Sequence, residues 1–155
     1  MTLVLSATYS CKKYANDPTI SLKSEEARLI RKWQVQVAYY SLFTDQPSQG
    51  EDQTYIWQNF KLEFKEDKTY QFENYNLDMS EYTIEEGNWE FTEDLSKVKT
   101  TGIARRYDSE TNALLIQGSK NSAWRIMRLT KNEFWVWYEN QDDPPWIYMK
   151  FDAFK

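Results

Sequence analysis

The sequence predicts an all-β protein: a single antiparallel, up-and-down barrel of about eight strands, with a short helix ahead of the first strand. Three observations carry this. From Trp33 onward, apolar and polar residues alternate with period two over most of the chain, the pattern of strands with one buried and one wet face. Short clusters of turn-forming residues interrupt the alternation, as hairpins require. Aromatic residues make up 17% of the chain, and aromatic side chains suit a pleated, half-buried surface. An open meander leaves two unpaired edges, and closure into a barrel removes both.

The elements follow in order. Residues 24–32 read as a short helix: Ser24 can cap it, Glu25 and Glu26 suit its positive end, and Arg31 and Lys32 suit the other. A helix this short must dock on something to persist. The first strand carries Trp33, Val35, Val37 and Tyr39 on one face. Later strands present Phe60, Leu62 and Phe64, then Tyr70 and Phe72, then Trp89 and Phe91, then Val98, then Trp124 and Ile126. Turns are expected at 65–68, 92–96, 130–133 and 141–145. Residues 44–53 and 76–86 read as longer loops, and 102–123 reads as holding an extra hairpin around 108–112. The segments 134–138 and 146–149 are apolar on both faces, so something must cover the outer wall there. The helix at 24–32 is the expected cover.

Length and composition set the function classes. A chain of 155 residues suits one domain. The net charge is −5 with Lys and Arg dispersed, which argues against nucleic acid as a partner. Histidine is absent, which removes the commonest general base and zinc ligand. Glu85-Glu86 and Asp142-Asp143 are the densest acidic pairs, and both read as solvated loop charge. No nucleophile elbow, phosphate loop or metal-ligand spacing is present. The expectation is a monomer that is not an enzyme and holds no cofactor or metal.

Cys11 is the only cysteine. It follows an uncharged, largely apolar segment and precedes a polar one, the arrangement that bacterial lipoprotein signals show. That resemblance divides the chain into a signal remnant (1–10), a lipidated Cys11 with its tether (11–23) and a barrel domain (24–155). It implies acylation of Cys11 and a chain anchored to a membrane rather than spanning it.

Several segments together resemble the lipocalin-like lipoproteins of Gram-negative bacteria, small calycin-type barrels. They are Cys11-Lys12-Lys13-Tyr14, the helix-to-strand run Ala27-Arg28-Leu29-Ile30-Arg31-Lys32-Trp33, Phe64 with Asp67, Thr69 and Tyr70, Gly87-Asn88-Trp89-Glu90-Phe91, and 124–130 with Glu133-Phe134-Trp135. Arg31 stands where lipocalins carry Gly before the Trp, and Lys68 stands where the family often has Gly. The resemblance implies a lipid anchor in the cell envelope, on the outer membrane at its periplasmic or surface side, and a small apolar ligand. It also implies that Trp33 closes the narrow end of the barrel under an arginine, Arg128 or Arg125.

A barrel of eight strands can be filled or can hold one small guest. If hollow, Tyr39, Tyr55, Trp57, Tyr75 and Trp135 are the candidates to line its mouth. If filled, Trp135, Trp137, Trp146 and Tyr148 could instead form an aromatic surface that stacks on carbohydrate or meets a protein.

Overall fold

The structure, a computed structural model, describes residues 24–41, 50–139 and 146–154. Cys11 and Asp142-Asp143 lie outside them. The elements are α1 (Glu25–Leu29), β1 (Lys32–Ser41), β2 (Glu51–Asp52), α2 (Thr54–Trp57), β3 (Lys61–Phe64), β4 (Thr69–Tyr75), β5 (Glu81–Phe91), β6 (Lys97–Asp108), β7 (Leu114–Leu129), β8 (Glu133–Glu139) and β9 (Trp146–Ala153). Strands β1 and β3 to β9 pair antiparallel in chain order, and β9 returns to β1. The result is a closed, eight-stranded, up-and-down barrel, consistent with a calycin-like fold. β2 is a two-residue addition opposite Tyr39 and Tyr40.

The sequence pattern placed most strands and misplaced some ends. Residues 81–86 are not loop: β5 starts at Glu81 and runs unbroken to Phe91. The hairpin at 108–112 is not additional but joins β6 and β7, which are long and continuous. The helix ends at Leu29 rather than 32. Ser24 caps it by accepting the Ala27 N–H at 3.2 Å, but the Trp33 indole N–H then donates to the Leu29 carbonyl at 2.9 Å. That bond ties the last turn of α1 to the first inward residue of β1.

Three hairpin turns share one local solution, in Asp67-Lys68-Thr69, Asp78-Met79-Ser80 and Asp94-Leu95-Ser96. Each Asp Oδ1 accepts the backbone N–H two residues on, at 3.0 Å. Each middle residue takes a left-handed φ, of 67°, 60° and 57°. A short acidic side chain that folds back onto the backbone stabilises such turns. Hydroxyls of neighbouring Ser or Thr add to this and hold the three carboxyls below their ordinary range, Asp94 at about 2.

One end of the barrel is packed solid. Trp33, Phe64, Trp89, Leu129, Phe134 and Phe151 are all buried there. Their rings meet in series, with Trp33 on Phe134 at 5.4 Å, Phe134 on Phe64 at 6.1 Å and Phe64 on Trp89 at 5.6 Å. Much of the aromatic content is therefore core, as edge and tilted contacts between rings favour. Leu29 of α1 joins this cluster, so α1 closes the end. It does not cover the outer wall of β8 and β9, as the sequence led one to expect.

Candidate functional site

The other end of the barrel is hollow. Pairing between β1 and β3 covers only 32–34 with 61–63. Beyond that, the edge of β1 is taken by β2 and by the start of α2, where Thr54 Oγ1 accepts the Ala38 N–H at 3.0 Å. This one-turn helix, absent from the sequence reading, drops Trp57 onto the barrel interior. A cavity of about 360 Å³ lies beneath it. Trp57, Phe60, Phe72, Trp124, Ile147 and Met149 supply its apolar walls, and Thr83, Glu85, Lys120 and Tyr138 its polar groups. Phe60 and Phe72 stack at 4.9 Å and form the step between packed core and cavity.

Glu85 is the unexpected member. Sequence reading placed it in a loop as solvated charge. The structure puts it on β5, opposite Phe72 and Ala104, with only 4% of its surface exposed. Glu86 points outward to Arg105, at 3.4 Å. The signal was legible: counting back by twos from Trp89 through Gly87 puts Glu85 on the inward face, once 81–91 is read as one strand. The Tyr70 hydroxyl donates to Glu85 Oε1. Two inward glycines that face each other across β5 and β6, Gly87 and Gly102, leave space for the Tyr70 ring.

Burial pushes the Glu85 carboxyl above its ordinary range, against the opposing pull of the Tyr70 hydrogen bond and of Lys120. Burial, and then Glu85, push the Tyr70 phenol up as well. The sign for Glu85 is opposite to that of a salt-bridged carboxylate. The folded state holds the proton more tightly than the unfolded chain, so this contribution is fully present below the ordinary Glu value and is lost as pH rises through the raised one. Glu85→Gln should therefore gain stability relative to the wild type as pH rises from the ordinary Glu value, about 4, through the raised one. The turn aspartates are common to both proteins and cancel. Urea denaturation across this range checks it, and a difference that does not vary with pH would refute it.

The structure distributes the other sequence candidates differently from the expectation. Of Tyr39, Tyr55, Trp57, Tyr75 and Trp135, only Trp57 lines the cavity. A bulge between Val35 and Val37 flips the parity of β1, so Ala38 faces in, and Tyr39 faces out beside Tyr148. Tyr55 is exposed on α2. Tyr75 belongs to an outer row with Tyr82 and Tyr107, at ring spacings of 5.5 and 5.1 Å. Trp135 lies on the outer wall between Arg128 at 5.0 Å and Lys150 at 4.3 Å. Trp33 does sit at the closed end, but the cation over it is Arg31, at 5.5 Å. Arg128 is instead bonded to Glu133 at 2.8 Å, and Arg125 lies opposite Trp137 on the outer face. The buried arginine of this end is Arg28, which donates to the Leu129 carbonyl and faces Glu25 at 3.5 Å.

Comparison with protein-family models gave no match, and no curated protein is significantly similar to this chain.

Proposed function

We propose that the protein is a lipid-anchored, lipocalin-like binding protein of a Gram-negative cell envelope that carries a small apolar molecule and catalyses no reaction. The cavity carries this reading: about 360 Å³ of space with largely aromatic and aliphatic walls, opposite the end that α1 closes. Ligand pockets span roughly 300–1,000 Å³, so this one suits a compact ring system or short chain better than haem. A ligand at 100 times its dissociation constant should stabilise the fold by about 2.7 kcal/mol. Binding should also change the emission of Trp57 and Trp124. A panel of short fatty acids, naphthalene derivatives, sterols and quinones, read by thermal shift and fluorescence, tests this. Ala104→Leu, which fills the cavity, should abolish any shift. A panel without effect, or binding that Ala104→Leu leaves intact, would count against the reading.

The anchor rests on the segment around Cys11. Metabolic labelling with a fatty-acid analogue should mark the protein, and Cys11→Ala should abolish the label and release the protein from membranes. A wild type that is never labelled and fractionates away from membranes removes this part of the proposal.

A second reading, a surface that stacks on carbohydrate or meets a protein, draws on the outer row of Tyr75, Tyr82 and Tyr107. Of the earlier candidates, Trp137 and Tyr148 are buried, Trp135 lies between two cations, and the Trp146 side chain lies outside what the structure describes. Binding to insoluble polysaccharide that Tyr82→Ala removes would favour this reading.

A further inference from the structure

We infer that the cavity is built for an apolar ring bearing one hydroxyl, with that hydroxyl held between Glu85 and Lys120; this rests on the reading of the cavity as a ligand site. Glu85 is buried in the wall, and one of its oxygens, Oε1, is taken by the Tyr70 hydroxyl. Among the described residues no donor reaches its other oxygen, Oε2. That oxygen opens onto the cavity, and an unused acceptor on a cavity wall favours a guest that donates to it over one that does not.

Lys120 decides what kind of donor. It lines the same cavity from β7, and its charge acts on Glu85. Yet among the described residues the two form no ion pair within 4.0 Å, so space remains between them. Tyr70 from β4 and Lys120 from β7 act on Glu85; the other polar groups of the cavity are Thr83 and Tyr138, whose hydroxyl is 3.0 Å from Ser122 Oγ. A protonated amine would meet the Lys120 ammonium, and a carboxylate would meet Glu85. A hydroxyl satisfies both neighbours: its O–H donates to Glu85 Oε2, and its lone pairs accept from Lys120 Nζ. The stacked Phe60 and Phe72, with Trp57 and Trp124, offer flat faces to the ring that carries it.

The test compares 2-naphthol, 2-methoxynaphthalene and naphthalene by calorimetric titration of the wild-type protein. These probes share one ring system and differ in the donor. A hydrogen bond donated to the Glu85 carboxyl should give 2-naphthol an advantage of about ten-fold over its methyl ether. Glu85→Met should reduce that ratio to near one, and Lys120→Met should reduce it in part. Equal binding of the three probes to the wild type overturns the hydroxyl assignment and leaves the apolar-ligand reading standing. A preference that survives Glu85→Met also overturns it. Failure of all three probes to bind overturns both. The wild-type comparison needs no variant, so a destabilised Glu85→Met protein still leaves a decisive result.

Discussion

Trp33→Ala should destabilise the barrel by about 3–5 kcal/mol, the range for truncating a large buried aromatic. The indole is wholly buried at the closed end, against Phe134 at 5.4 Å and beneath Arg31. Its removal opens a void where α1, β1 and β8 converge. It also deletes the bond from the indole N–H to the Leu29 carbonyl, and a five-residue helix cannot hold itself without tertiary anchors. Trp33→Phe separates the two effects, since it keeps most of the ring but leaves the Leu29 carbonyl without its partner, at roughly 1–3 kcal/mol. Urea denaturation of the three proteins measures both steps. A loss below about 1 kcal/mol for Trp33→Ala would place the residue outside the structural core.

Gly87→Ala and Gly102→Ala should each cost at least about 2 kcal/mol, although alanine alone favours folding by restricting the unfolded chain by about 0.4–1 kcal/mol. Neither glycine is needed for its φ angle, because neither has a positive one. The constraint is space. A Cβ at Gly87 would lie 2.1 Å from the Thr101 carbonyl oxygen, and one at Gly102 would lie 2.3 Å from the Glu86 carbonyl oxygen. Both obstacles are backbone of the facing strand and cannot rotate away. At Gly102 the new methyl would also stand 2.8 Å from the Tyr70 hydroxyl oxygen. Gly102→Ala should therefore disturb the Tyr70–Glu85 bond, and with it the pH dependence ascribed to Glu85. Gly118→Ala is the control, because a Cβ there meets nothing within 4 Å. If all three substitutions leave the denaturation midpoint unchanged, the close approach of β5 and β6 is not as described.

Strand parity by itself determined the barrel and its core. Trp33, Phe60, Leu62, Phe64, Tyr70, Trp89, Trp124 and Ile126 are all buried, because in a strand with one wet face the period-two pattern allows one register only. The Asp-x-Ser/Thr turns were equally local, since a carboxylate needs only the backbone two residues away. What the pattern could not carry was anything that breaks its phase. The bulge at 35–37 sends Tyr39 outward, and a second between Ile126 and Arg128 puts Arg128 beside Trp135. Where both faces are apolar, as at 134–138, alternation does not say which ring points in. The cavity itself was decided only in three dimensions. It exists because β1 and β3 part after 32–34 and α2 settles on the freed edge. Its buried carboxyl became visible only once 81–91 proved to be one strand, so that Glu85 pairs inward with Tyr70 from a neighbouring strand rather than outward with water.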